Sequence, residues 1–307
     1  MSDQISLPNL QAADELLSKL SSEVQKWEGT LSGGTKLGIG ATAVESLFQT
    51  KVSFGNPRDQ LIQLTETTFQ ESGTELTDIY RQQMQSQYDF YYLTLTISLI
   101  PKPGVRFRRL TCQLDFSADN GNTIPIVQTL FPDQKWREVF NFGVGMDVGL
   151  DGNLDWSVGV DESLLDKVRD LLPAELKAKA ATKNNFKAFM AVPSYKYELG
   201  YSEITASGEG DSMCYWRIQD QELQKLGTAR FAIVFKVPKG TEMVNLEGVV
   251  WAEPDMNWLT SDIRDVFSDL SNRIKSLLKS KDDAAIHFAR GDAEEWVLTL
   301  PKVRAFP

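Results

Sequence analysis

Residues 90–99 read Phe90-Tyr91-Tyr92-Leu93-Thr94-Leu95-Thr96-Ile97-Ser98-Leu99. Tyr91, Leu93, Leu95, Ile97 and Leu99 alternate with Tyr92, Thr94, Thr96 and Ser98. Successive side chains of a strand point to opposite faces, so this period of two predicts a strand with one face buried. Pro101-Lys102-Pro103-Gly104 turns the chain after it. The return strand carries Val105 and Phe107, then Leu110, Cys112, Leu114 and Phe116. Apolar parity slips by one at Arg108-Arg109, which is what a β-bulge does: one extra residue moves every later side chain to the other face.

Working outward, the same pattern recurs. Further strands are expected at Tyr195–Thr205, Met213–Ile218, Ala229–Val237 and Val244–Ala252, with a loop at Ser207–Asp211. Lys236-Val237-Pro238-Lys239-Gly240 repeats the turn chemistry of Leu99–Gly104 between two strands, the trace of a weak internal repeat. Helical spacing appears at the start, where Leu10, Ala13, Leu17, Leu20, Val24 and Trp27 follow Pro8 and stop at Gly29. A shorter helix is expected from Thr42 to Gln49, and residues 57–87 carry mixed, Gln/Thr-rich signals. Amphipathic helices are expected over about Glu162–Thr182 and Thr260–Ser280.

The implied fold class is α+β, predominantly antiparallel β-sheet or sandwich units, with an N-terminal helix and a helix after each β unit. The expected organisation is a helical and mixed segment (1–88), a β unit with its closing helix (89–183), a second such unit (184–290) and a C-terminal docking tail (291–307).

A chain of 307 residues can bury a core without disulfide or metal staples. Its single histidine, His287, and two cysteines, Cys112 and Cys214, leave no ligand set for a Cys₄ or Cys₂His₂ zinc site. Any Ser-His-Asp or Cys-His chemistry would run through His287, which is expected as a partly buried histidine bonded to the backbone. The cysteines sit in apolar strand contexts and read as core residues of a reducing compartment. Net charge is −10, the wrong sign for a nucleic-acid partner, and Arg106, Arg108 and Arg109 read as a solvated face. Residues Met1–Leu31 lack an apolar leader core, and a cytoplasmic location is the default expectation.

Gly29–Lys36 has the glycine spacing of a phosphate loop but places Thr35 before Lys36, the reverse of what that loop needs. Gly38-Ile39-Gly40-Ala41-Thr42-Ala43 fits the dinucleotide fingerprint but has no strand ahead of it. No cofactor is expected apart from calcium. Asp151, Asn153, Asp155 and Glu162 have the oxygen spacing of a calcium loop, though Trp156 stands where its bend needs glycine, so they are a weak Ca²⁺ candidate.

The most regular alternation lies at 140–160. Phe140, Phe142, Val144, Met146, Val148 and Leu150 precede the turn Asp151-Gly152-Asn153, and Leu154, Trp156, Val158 and Val160 follow it. The opposite face holds Gly, Asp, Asn and Ser. Each arm has the length, about 9–11 residues, that a tilted strand needs to cross a bilayer. A hairpin packed on a soluble core has the same pattern.

Three functions follow, in order. The first is a non-catalytic adaptor or assembly component, not an enzyme, with protein partners or copies of itself. Its docking segment would be Trp296, Val297, Leu298, Leu300 and Phe306, added as a strand to a neighbour. The second is a membrane-acting or pore-forming protein using the 140–160 hairpin. The third is a carboxylate-based hydrolase, with Trp136, Trp156, Trp216, Trp251 and Trp258 as sugar-stacking rings.

Overall fold

Asn9 starts the first helix. Its side-chain oxygen accepts from the backbone N–H of Ala12 at 2.9 Å, the arrangement of an N-cap. The computed structural model describes residues 7–30, 39–67, 78–116, 124–131, 203–221, 223–225, 227–259 and 285–302. Within them α1 spans Leu10–Thr30 and α2 spans Ile39–Gln49, as the periodicity predicts. Ala13, Leu17 and Leu20 of α1 and Ala43, Val44 and Leu47 of α2 are buried, and the two helices pack together. A third helix, α3, spans Asp78–Ser86 and lies against the Phe90 end of the 90–99 strand, with the Tyr80 and Phe90 rings edge to face at 6.1 Å. The helices expected at 162–182 and 260–280 lie outside the described residues.

The described strands form two antiparallel five-stranded sheets. In chain order they are β1 (Lys51–Phe54), β2 (Leu61–Leu64), β3 (Tyr88–Ile100), β4 (Phe107–Asp115), β5 (Ile126–Phe131), β6 (Glu203–Ser207), β7 (Met213–Gln219), β8 (Thr228–Pro238), β9 (Met243–Pro254) and β10 (Arg290–Thr299). One sheet runs β1-β3-β8-β5, with β2 also on β3; the other runs β10-β9-β4-β7-β6. The α+β class with antiparallel sheets is therefore what the chain adopts.

The two sheets share one apolar core. Tyr91, Leu93, Leu95, Ile97 and Leu99 of β3 and Leu110, Cys112, Leu114 and Phe116 of the β4 arm are all 0% exposed. The bulge is present: the register of β4 against β9 shifts between Phe107 and Arg109. Aromatic rings join the sheets, Trp216 stacking on Phe231 at 4.8 Å and Phe116 lying 4.7 Å from Phe235. Phe54 meets Trp296 edge to face at 5.0 Å where β1 lies over β10.

Strand pairing crosses the expected boundaries at 89–183 and 184–290, because each sheet draws strands from both stretches. The turn at Pro101–Gly104 does not close a hairpin. It carries the chain from β3 in one sheet to β4 in the other, and Pro238–Gly240 does the same from β8 to β9. β3 pairs with β8 and β4 with β9, each antiparallel, so two like arches interlock head to tail at the centre of the fold. That is the structural content of the weak repeat.

Tyr91 is buried on the core face of β3 with its hydroxyl unpartnered among the described residues. Burial, and after it the charge of Asp89, push its phenol up to about 12 from a usual 10.0. The folded value lies above the unfolded one. This group's contribution to stability is thus complete below pH ~10 and is lost as the pH rises through about 12. We predict that Tyr91→Phe raises stability by about 1 kcal/mol at pH 7, since an unmet buried hydroxyl is removed. It also removes an alkaline loss on the order of 2 kcal/mol. Urea unfolding of both proteins at pH 7 and at the alkaline end of the range reads both effects.

Candidate functional site

Two places in the fold hold chemistry. The first is the edge where β5 and β6 meet. Val127 N–H donates to Asp211 O at 2.9 Å and Gly210 N–H donates to Val127 O at 2.7 Å, tying the β5 strand to the β6–β7 turn. Gly208 in that turn has φ +120°, and a Cβ there would stand 2.3 Å from Met213 O, so only glycine fits. Among the described residues β5 is the edge of one sheet and β6 the edge of the other. β5 runs from the Lys236 row of β8 towards its Ala232 row, and β6 begins opposite Gln219, at the end of the sheet from which the chain passes on to Thr228. In sequence, residues 132–202 lie between β5 and β6. That interval contains the alternating stretch 140–160 (Phe142, Val144, Met146, Val148, Leu154, Trp156, Val158) and the calcium candidates Asp151, Asn153, Asp155 and Glu162, all outside the described residues.

The second place is the outer face of the other sheet. The bulge turns both Arg108 and Arg109 to this side of β4, with Leu110 and Cys112 facing the core. Arg109 Nη1 donates to Glu253 Oε2 at 3.1 Å, and Nη2 to Gln219 Oε1 at 3.4 Å. Trp251 Nε1 donates to the other oxygen of Glu253 at 3.2 Å. Glu253 is only 5% exposed, and each of its two oxygens accepts from one of these donors. Arg217 and Trp251 flank Thr111 directly in register, on β7 and β9. Arg106 and Arg108 are exposed, as expected of a solvated face, whereas Arg109 is turned into the Glu253 pair.

The other sequence-derived residues fall as follows. Trp296, Leu298 and Leu300 are buried in the chain's own core, Val297 is 50% exposed and Phe306 lies outside the described residues. β10 pairs along its whole length with β9, so the segment expected to add a strand to a neighbour adds one to its own sheet. His287 corrects the expectation of partial burial. It is exposed in a turn, because Ala285, Phe288 and Ala289 take the inward positions around it. Cys112 and Cys214 are free and buried. Burial pushes both thiols well up, with Cys214 adding to the effect on Cys112 and Asp115 to that on Cys214. Trp216 and Trp251 are buried and Trp258 packs on the core, so none of the three stands free as a stacking platform. Of the stretch Gly38–Ala43, residues 39–43 lie in α2, and the described element ahead of them is α1. Among the described residues no three His, Cys, Asp or Glu side chains gather as a metal site. None of the described helices is long and apolar enough to cross a membrane, which says nothing about strands.

No protein-family model matches the chain, and no curated protein matches it in sequence. Among solved structures, one titled "Pore forming protein" aligns at TM-score 0.30 and 8% identity, over 67% of this chain and 78% of that one. The delta-toxin of Clostridium perfringens aligns at TM-score 0.30 and 9% identity over the same shares, 67% and 78%. The NetB toxin of Clostridium perfringens, in its membrane-inserted form, aligns at TM-score 0.27 and 6% identity over 67% and 83%. At such TM-scores these likenesses assign neither fold nor function.

Proposed function

We propose that the protein acts on membranes, with the two-sheet body as a carrier and the stretch 140–160 as the segment that enters the bilayer. The observation that carries this reading is the unbroken alternation of that stretch: ten apolar residues on one face, Gly, Asp, Asn and Ser on the other, and a turn at Asp151–Asn153 between the arms. An apolar outer face and a polar inner one is what a strand lining a pore needs, since lipid faces one side and water the other. Its position between two edge strands of opposite sheets supports the reading as well.

One hairpin cannot close a barrel, and an open sheet edge in lipid is prohibitively costly. The reading therefore implies a ring of copies. Because transmembrane barrels begin at about eight strands, at least about four chains would contribute. Purified protein is expected to release dye from liposomes. Val148→Asp and Val158→Asp, which place a charge on the lipid face, are expected to cut release at least tenfold while leaving the far-ultraviolet spectrum and the melting midpoint unchanged. The reading fails if folded protein releases nothing, with or without Ca²⁺, at acidic and neutral pH.

The assembly-component reading keeps one point in its favour: among the described residues β10 and β6 are both edge strands, the places where a sheet can add a strand from another chain. The mass of the intact assembly purified from the native host, without lipid, tests it. Co-purification with a different protein supports it, and the monomer alone counts against it.

A further inference from the structure

Charge is sorted along the strands. β3 and β8 are antiparallel, with Tyr88 opposite Pro238 and Ser98 opposite Thr228. The arch from β3 to β4 and the arch from β8 to β9 therefore lie at opposite ends of the body. Around the first arch stand Lys51, which faces Ile100 across the β1–β3 pair, then Lys102, Arg106 and Arg108. Lys225, on the helical turn packed against β4, and Arg230, near the start of β8, join them. Each of these side chains is exposed. The carboxylates at this end, among the described residues, are Glu45, Glu203, Asp220 and Asp255. Asp255 Oδ1 is engaged by the backbone N–H groups of Asn257 and Trp258. Arg109 is matched by Glu253 and Arg290 by Asp14, and Glu15 and Lys19 of α1 cancel. Cations remain in excess here.

The other end has the opposite sign. Asp115, Glu247 and Glu295 stand in one row across β4, β9 and β10. Asp89, Glu209, Asp211, Glu242 and Glu294 add to them, against Lys236, Lys239 and Lys302. Burial, and after it the charges of Glu247 and Asp211, push the Asp115 carboxyl up. A chain of net charge −10 thus presents a basic end and an acidic one, and such a field turns the basic end towards an anionic surface.

The basic end also carries an apolar tip. Ile100 is 59% exposed where β3 enters the arch, with Lys51 opposite and Lys102 two residues on. An aliphatic side chain ringed by lysine and arginine matches the layering of an anionic bilayer, phosphate outside and hydrocarbon beneath. Met243 is 60% exposed at the acidic end, but it follows Glu242 and lies near the carboxylate row, where an anionic surface is repelled. β5 runs towards the basic end and β6 begins at it, so the strands that flank residues 132–202 lead there.

We propose that the basic end, with Lys51, Lys102, Arg106 and Arg108 around Ile100, docks end-on upon an anionic lipid surface. This deepens the membrane reading by naming the lipid class and the end of the body that meets it, and it rests on that reading.

Sedimentation of the full chain with vesicles of phosphatidylcholine, alone or mixed with phosphatidylglycerol, tests it, with dye release read on the same vesicles. Binding is expected to rise about tenfold or more with phosphatidylglycerol and to fall back in about 0.5 M salt. Lys102→Glu is expected to weaken it about tenfold and Ile100→Ser several-fold, whereas Lys239→Glu, at the acidic end, changes it less than about twofold. The Lys102 and Ile100 side chains are both exposed, so these variants keep the fold. Equal binding to the two vesicle types, or binding weakened as much by Lys239→Glu as by Lys102→Glu, overturns the docking end. Dye release that persists in that case leaves the membrane reading standing, and neither binding nor release from folded protein removes both.

Discussion

Gly248→Val is expected to unfold the protein or to lower its stability by at least about 3 kcal/mol, the upper range for overfilling a packed core. Gly248 faces inward on β9, and Trp296 of β10 lies over it. A Cβ at 248 would stand 2.7 Å from Cζ3 and 2.9 Å from Cη2 of that ring, and 3.0 Å from Cζ of Phe54. No real Cβ tolerates the first two distances. The ring cannot yield towards Phe54, which packs on it edge to face at 5.0 Å. Even Gly248→Ala is expected to cost about 1–3 kcal/mol. Part of that cost should vanish when Trp296 is replaced by Leu, because residues in direct contact do not act additively. Urea denaturation of the two single variants and the double variant reads all three terms. A Gly248→Ala cost that is unchanged by Trp296→Leu would mean that β10 is not seated on β9 as described.

The second large effect is expected at Trp216. This residue is 0% exposed on β7 and stacks on Phe231 of β8, so it is a rivet between the sheets. Trp216→Ala should cost about 3–5 kcal/mol through lost burial and the cavity left behind. Against a typical total of roughly 5–15 kcal/mol, that is enough to leave the protein marginal. Trp216→Phe should cost much less. It keeps an aromatic partner for Phe231, and the indole N–H that it removes has no acceptor among the described residues. Chemical denaturation separates the two variants; equal losses would refute the stacked geometry.

Much of the sheet is legible in the sequence because alternation is a direct consequence of strand geometry. β3, β4, β7, β8 and β9 all fall where apolar residues recur at every second position, and the parity slip at Arg108-Arg109 coincides with the bulge in β4. β5 escapes such a reading for a related reason. Its register against β8 shifts between Val127 and Thr129, so the inward residues Val127 and Leu130 are three apart and the period of two is broken. The prolines at 125 and 132 are the signal that bounds it. β1 and β2 have four residues each, too few for a period to show.

Connectivity is harder to read. Pro101–Gly104 looks the same whether the next strand pairs beside the last one or crosses to the opposite sheet, since the turn residues fix a change of direction and not a hydrogen-bonding partner. The C-terminal tail illustrates the same limit. Trp296, Leu298 and Leu300 advertise an apolar strand face, and only the partner strand β9 shows that the face belongs inside. At the outer face of β4, the arginines are visible in the sequence. The register that sets Arg217 opposite Thr111 is not, because it depends on pairing between residues more than a hundred positions apart.

Single-cysteine labelling along residues 140–160 tests the central proposal most directly. An environment-sensitive fluorophore is placed at each position in turn, and its emission is compared with and without vesicles. The native thiols do not interfere, because Cys112 and Cys214 are buried and held protonated. The membrane reading predicts a blue shift at even positions such as Phe142, Val144, Val148 and Val158 and little change at odd ones such as Gly143, Asp147 and Gly159, in both arms. Emission that does not change with vesicles anywhere in the stretch, from protein that is folded, would contradict it.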